Sequence, residues 1–278
     1  EKIQARAVVF NGDVNALAQP GFVGNAGGVT RHDNADNGRV ARPPPVRAIS
    51  RSQRSLSAMT WSMACPTTGF DLVRHNVFFD AEYRSEFDDI FGCNRLPRQP
   101  TVYVCAQDRY SGDRADAVTP EARPDHERLL VLVNAPAKGD QGREHDEANA
   151  REIQECETAT FNLIHACGLR IDRRLGREVR TTPWTFAQRF PATGGSLYGS
   201  ATHGWMSSFN RASTRTTLPG LFLAGGSAHP GPGVPMATMS GRLAAETVMA
   251  HLDLTSRSSR VVIAGGISMH SVMTGNTA

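Results

Sequence analysis

Short β-branched runs closed by turn residues alternate along this chain with a few stretches of helical period. Residues 5–10 (ARAVVF) read as a buried strand. Asn11-Gly12-Asp13 then signals a tight turn into a short helix over 14–17. Residues 24–55 are rich in Gly, Asn, Asp, Arg and Pro and carry Pro43-Pro44-Pro45, so they read as loop or linker. Strands follow at 56–64, 72–79, 101–107 and 129–134, with a helix over 80–91 that Asp80 would cap. Residues 138–148 are charged and polar and should be exposed. From 147 to 167 the apolar positions Ile153, Cys156, Thr160, Leu163, Ile164 and Cys167 keep helical spacing, and Gly168 suits the residue after the helix. Thr182-Pro183 opens another short helix that ends before Pro191. A strand at 221–224, a Gly- and Pro-rich loop at 225–235, a helix at 236–252 and a loose tail at 253–278 complete the pattern. There is no internal repeat.

Length and charge narrow the choice. A chain of 278 residues can bury one large core or two ordinary ones. The net charge of +3 gives no basic field for nucleic acid. All but two of the 30 basic residues are arginine, the exceptions being Lys2 and Lys138. The cluster Arg170, Arg173, Arg174, Arg177 and Arg180 reads as a solvated loop, with contact to anionic headgroups as the alternative. The five cysteines form no CxxC pair, which predicts reduced thiols and neither a disulfide framework nor a metal site. No apolar run approaches the ~18 residues that a membrane-spanning helix needs. The chain opens on Glu1-Lys2-Ile3 and runs into a strand, so the reading expects a piece of a longer protein.

The richest segment is LPGLFLAGGSAHPGPGVPMATMSGRLAAE, residues 218–246. A short apolar strand meets Gly225 and Gly226, which permit a sharp turn and a close ligand approach. Gly231, Pro232, Gly233 and Pro235 then stiffen a loop that ends at a helix N-terminus. Free amides and the positive dipole end favour partial negative charge there, from a phosphate or from the electron-rich edge of a reduced flavin. Ala237, Gly241, Ala244, Val248 and Leu252 share one helical face, whose small early members allow close packing on sheet or cofactor. By itself such a strand, turn and helix is also an ordinary βα unit without a ligand.

The string as a whole resembles the C-terminal flavin-contacting motif of the phytoene-desaturase type of carotenoid desaturase, and most closely its hydroxyneurosporene and methoxyneurosporene branch. The likeness extends to RSLSAMTWSMA (54–64), DLVRHNVFFDAEYRSEFDDIF (71–91), PTVYVCAQDR (100–109), ERLLVLVNAPA (127–137) and FPATGGSLYGSATHGWMSSF (190–209). With ARAVVFNGDV (5–14) these strings cover most of the chain in family order.

The resemblance implies an α/β fold with an α+β substrate domain. Residues 1–20 and 210–252 would be the C-terminal portion of a discontinuous FAD-binding domain, and 55–209 the substrate domain. The family's N-terminal GxGxxG unit, which receives the FAD pyrophosphate, has no counterpart in this sequence. An unpaired sheet edge is expected in consequence. Gly225, Gly226 and Ser227 would lie near the ribityl and phosphate region, and Gly233, Val234, Pro235 and Met236 would face the isoalloxazine. Gly226 stands where many related flavoproteins carry an acidic ribityl ligand. Asn11 and Asp13 are read as turn residues. The implied reaction inserts a carbon–carbon double bond into a lipophilic carotenoid, with peripheral attachment to the inner or photosynthetic membrane from the cytoplasmic side. Trp205 and Met206 lead the candidates for lining the substrate tunnel, ahead of Trp61, Phe78, Phe79, Trp184, Tyr198 and Phe209. His203 and His229 are candidate proton acceptors, and no catalytic base is assigned. Two alternatives stay open: a flavoprotein acting on another lipophilic substrate, such as phytoene itself, and a non-catalytic product.

Overall fold

The computed structural model describes residues 3–19, 22–23, 44–109, 126–202 and 210–258. The expected tunnel residues Trp205, Met206 and Phe209, together with His203, lie outside the described residues.

Alternation of side chains builds the larger unit. Along β5 (Val102–Ala106) and β6 (Glu127–Ala135) every second residue is buried. These strands join β4 (His75–Phe78), β2 (Ser57–Cys65) and β8 (Arg177–Thr181) in an antiparallel sheet of order β4-β5-β6-β2-β8. One face carries Met59, Trp61, Met63, Val104, Val131 and Val133 into a closed core. Helix α3 (Glu147–Ala166) belongs to that core through Ile153, Cys156 and Ile164. Trp61 is fully buried and meets Phe161 edge-on with ring centroids 5.4 Å apart. Burial of each such side chain contributes about 1.5–3 kcal/mol. On the opposite face Tyr103, Leu130 and Leu132 are half-buried, while Val77 and Val179 are exposed.

Short elements close this unit. An antiparallel pair joins β3 (Thr67–Gly69) to β7 (Leu169–Ile171). Helix α4 (Pro183–Arg189) starts as its sequence predicts: the Thr185 amide donates to Thr182 Oγ1 at 3.3 Å and Pro183 occupies the first turn.

The smaller unit holds the candidate site. Strand β1 (Val8–Phe10) pairs in parallel with β9 (Leu221–Leu223). The turn and helix α1 (Val14–Leu17) follow β1 as predicted, with the Asp13 carboxylate accepting from the Asn15 amide at 2.8 Å. Val14, Leu17, Leu221, Leu223 and Ala228 form a second core. Helix α5 (Val234–Ser258) follows the glycine-rich loop.

Several expectations are corrected. Asp80 does not cap a helix: its carboxylate accepts from the Glu82 amide in a turn. Helix α2 spans only Arg84–Phe87 and widens into a π-helical turn at Asp88–Gly92. The arginine-rich stretch after 168 contains β7 and β8 instead of a solvated loop, because Glu157 accepts from both Arg173 and Arg180 at the sheet edge. Lys138 is buried, not exposed, with its ammonium 2.8 Å from Glu152. Helix α5 begins two residues before the expected start and runs six past the expected end, to Ser258. Pro235 is tolerated in its first turn, where no amide partner is lost. Trp61, Phe78 and Trp184 pack in the large core.

Candidate functional site

The site is assembled where β1 and β9 end side by side. Beyond Phe10, the Asn11 side chain lies across Gly225: a Cβ built on Gly225 would stand 2.5 Å from Asn11 Oδ1. Gly225 has φ +114°, a conformation that L side chains rarely adopt. Its amide donates to Ser240 Oγ at 3.2 Å, and Ser240 is fully buried on α5. The turn closes as the Ala228 amide donates to the Gly225 carbonyl at 3.2 Å.

Helix α5 then rises from Gly233, whose carbonyl accepts from the Ala237 amide at 2.9 Å. Between its first turns and the strand ends lies a cavity of about 540 Å³, bounded by Val9, Asn11, Gly225, Val234, Thr238 and Gly241, with Ala237 and Ala244 deeper on the helix. Its size falls within the ~300–1,000 Å³ usual for small-molecule sites. The helical face expected to press on its neighbours does so in part, with Ala237, Val248 and Leu252 half-buried. Ala244 is buried, but Gly241 is exposed and a Cβ there would meet nothing within 4 Å.

The seven expected cofactor contacts are not gathered in one place. Gly225 and Val234 line this cavity. Ser227 lies on a second cavity of about 780 Å³, beside Val14, Gln53, Ser200 and Arg211. Its Oγ accepts from the Val14 amide at 3.0 Å and so caps helix α1. Gly226, Gly233, Pro235 and Met236 line neither cavity, and Met236 is exposed. His229 is half-buried and its amide donates to the Ala212 carbonyl at 2.8 Å.

Two residues outside that set shape the site. Asn11, read from sequence as turn chemistry, lies on the cavity wall. Arg211 is buried behind the loop and donates to the Gly226 carbonyl at 3.1 Å. Burial lowers the Arg211 guanidinium from its ordinary value, opposed by the charge of Asp13. Burial likewise pushes the Asp13 carboxyl up, against the Asn15 amide and Arg211. Among the described residues no group of His, Cys, Asp and Glu could hold a metal ion, and no helix is long and apolar enough to cross a membrane.

Comparison with known proteins adds the decisive observation. The chain is 56% identical over its whole length to a hydroxyneurosporene desaturase of Rubrivivax gelatinosus, covering 48% of that protein. It is 40% identical, over 92% of its length, to a hydroxyneurosporene desaturase of Cereibacter sphaeroides, covering 45% of it. The chain belongs to the carotenoid desaturase family. A more distant member, a phytoene desaturase of Neurospora crassa, is 24% identical over 90% of this chain. No family model matches. The chain spans about half the length of the curated relatives it matches.

The α5 surface offers one wall to a flat ligand. Its cavity wall is made of small residues, with an open slot at Gly241 and a carboxamide at Asn11.

Proposed function

We propose that this chain supplies part of an FAD-dependent carotenoid desaturase, an oxidoreductase that introduces a carbon–carbon double bond into a hydroxylated acyclic carotenoid. The observation that carries this reading is the 56% identity over the whole chain to a protein named for that substrate. In this reading Gly225, Val234, Thr238 and Asn11 hold one side of the isoalloxazine. A flavin held there would supply a hydride acceptor for one carbon, with a proton lost from its neighbour. The chain's own contribution is shape and polarity. Gly241 leaves room for a flat ring, Gly225 lets the Asn11 carboxamide lie at the rim with a donor and an acceptor, and the first turn of α5 presents amides to developing negative charge.

Two further elements belong to the proposal. Residues 1–20 and 210–252 form the flavin side and 55–209 the substrate side. The apolar outward sheet face at Val77, Leu130 and Leu132 is a surface against which a polyene could lie. The flavin side is completed by further parallel strands beyond β1, including a GxGxxG unit. A two-stranded parallel sheet with Val8 and Val9 half exposed is not a finished sheet. Peripheral attachment to a membrane is supported by the exposed row Phe79, Tyr83, Phe87 and Phe91.

The test is direct. The purified chain is titrated with FAD and the bound flavin read by its absorbance and quenched fluorescence. In parallel, cells accumulating 1-hydroxyneurosporene or phytoene express the chain together with the remaining portion of a close relative. Bound flavin and conversion of the hydroxylated polyene are expected. Conversion of phytoene alone would reassign the substrate, and failure of flavin to bind even the combined protein would remove the oxidoreductase reading.

A further inference from the structure

Arg211 is an unusual residue for its surroundings. It is 5% exposed, yet among the described residues no carboxylate lies within ion-pair distance of it. Its partners among the described residues are three backbone carbonyls: Nη1 donates to Tyr198 at 3.0 Å and to Gly226 at 3.1 Å, and Nη2 donates to Ser200 at 2.8 Å. Among the described residues, the buried Nε has no hydrogen-bond partner. Burying a cation on these terms is costly, so the arrangement calls for a physical reason.

The partners belong to different units. The turn at 198–200 is fastened to the large core side: the Ser55 amide donates to the Gly199 carbonyl at 2.9 Å, and the Tyr198 amide donates to Ser55 Oγ at 3.0 Å. Gly226 belongs to the loop that shapes the flavin-side cavity. The guanidinium therefore spans the junction. One glycine makes space for it: a Cβ at Gly231 would stand 3.3 Å from Arg211 Nε. Gly199 packs instead on the loop itself, where a Cβ would stand 2.9 Å from that of Ser227. Lysine could not reproduce this bridge, because three carbonyls in two directions match a planar fork and not a single ammonium.

We propose that Arg211 is a positioning residue: it locks the glycine-rich loop at Gly226 to the turn at 198–200 and thereby fixes how the flavin-side unit meets the substrate-side unit. The clamp stands on the geometry alone. Only its consequence for FAD rests on the function proposed above.

Hydrogen–deuterium exchange of the wild-type chain, Arg211→Met and Arg211→Lys reads the clamp. On the loop side the amides to follow are Gly225, Ala228 and His229, and on the turn side Ser55, Leu197 and Ala201, all hydrogen-bonded in the structure. In Arg211→Met both sets should exchange about tenfold faster, as expected for a lost charge-assisted hydrogen bond. Val104 and Val131 in the large sheet should not change. Arg211→Lys should fall between the two. Acceleration of one set only, or an equal rise at Val104 and Val131, overturns the proposal, since Arg211 would then be a local or a general prop. If Arg211→Met does not fold, Arg211→Lys carries the same test, with a smaller rise expected in both sets together. FAD titration is the second readout: Arg211→Met should bind roughly fivefold more weakly than Arg211→Lys, the loss expected when a loop must be ordered on binding. A wild-type chain that binds no FAD counts against the flavin reading and leaves the exchange result to judge the clamp.

Discussion

Replacing Gly225 by alanine tests whether Asn11 and the glycine turn form one wall. The structure gives two separate costs. At φ +114° an L residue is strained, which costs about 1–3 kcal/mol. The new Cβ would also stand 2.5 Å from Asn11 Oδ1. That contact is with the end of a side chain, so it is relieved by driving Asn11 off its rotamer for about 0.5–1.5 kcal/mol. Gly225→Ala should therefore destabilise by roughly 2–4 kcal/mol. Asn11 is exposed, so Asn11→Ala alone should cost within about 0.5 kcal/mol. The double variant keeps the backbone strain and loses the clash. It should be more stable than the sum of the singles predicts by about 1 kcal/mol. Urea unfolding of the four proteins, followed by circular dichroism, completes the cycle. Additivity within about 0.3–0.5 kcal/mol would refute the reasoning, because residues that do not touch behave that way. Gly225→Ala should also weaken flavin binding more than Asn11→Ala does, since it displaces the carboxamide and in addition strains the turn that forms the cavity wall.

Three other outcomes are expected. Burial pushes the Glu157 carboxyl up, but hydrogen bonds and charge from Arg173 and Arg180 outweigh it, and the group titrates below its ordinary value. Its stabilisation is therefore complete above the unfolded carboxylate value of about 4.3 and is lost as pH falls through the lower folded value. Glu157→Gln should cost about 1–2 kcal/mol at neutral pH, less than for a fully buried pair because both arginines are about one-third exposed. In acid-to-neutral urea titrations the gap from wild type should narrow below pH ~4.3; a gap independent of pH refutes it. Thiol labelling of the folded chain should modify the exposed Cys93 and Cys167 and spare the buried Cys156, whose thiol burial pushes up to about 12; mass spectrometry finding Cys156 labelled without denaturant would contradict this. Phe87 and Phe91 are more than half exposed with rings 6.3 Å apart. Replacing both by serine should lower co-sedimentation with phospholipid vesicles about fivefold or more, and unchanged binding would place the lipid-facing surface elsewhere.

What the sequence reveals and what it hides follow from the range of the interactions. Thr182-Pro183 and Asn11-Gly12-Asp13 carry their structural meaning within three or four residues, and α4 and α1 form where those signals stand. The polar strand β8, REVRT, has no apolar alternation to announce it. It is a strand because β2 offers a free edge and α3 brings Glu157 to its arginines. Asp80 looks like a cap by composition, but its carboxylate turns the chain locally and delays the helix to Arg84. The candidate site divides in the same way. The bend at Gly225 is written in its own neighbourhood. The roles of Asn11 and Ser227 are not, because they arise between segments 213 positions apart in the Val14–Ser227 contact. Arg211 gives no motif at all, and only the three carbonyls around it disclose its place.

Stability and ligand binding are consequently carried by different parts of this chain. The large sheet closes its own core and pairs the charges at its rim, so substitutions at Trp61 or Val131 act on folding first. The small unit has a core cluster of only five buried residues, among those described, and a parallel pair of three-residue strands. It also leaves Val8, Val9, Val234, Met239 and Leu243 in contact with water. A unit so lightly packed opens locally at low cost. A ligand bound between α5 and the strand ends would raise that cost by mass action without touching the large core. Flavin should therefore protect the amides of β1, β9 and the glycine-rich loop selectively, and the Arg211 bridge, beside the packing of Ser227 on Gly199, is a route by which that protection can reach the turn at 198–200.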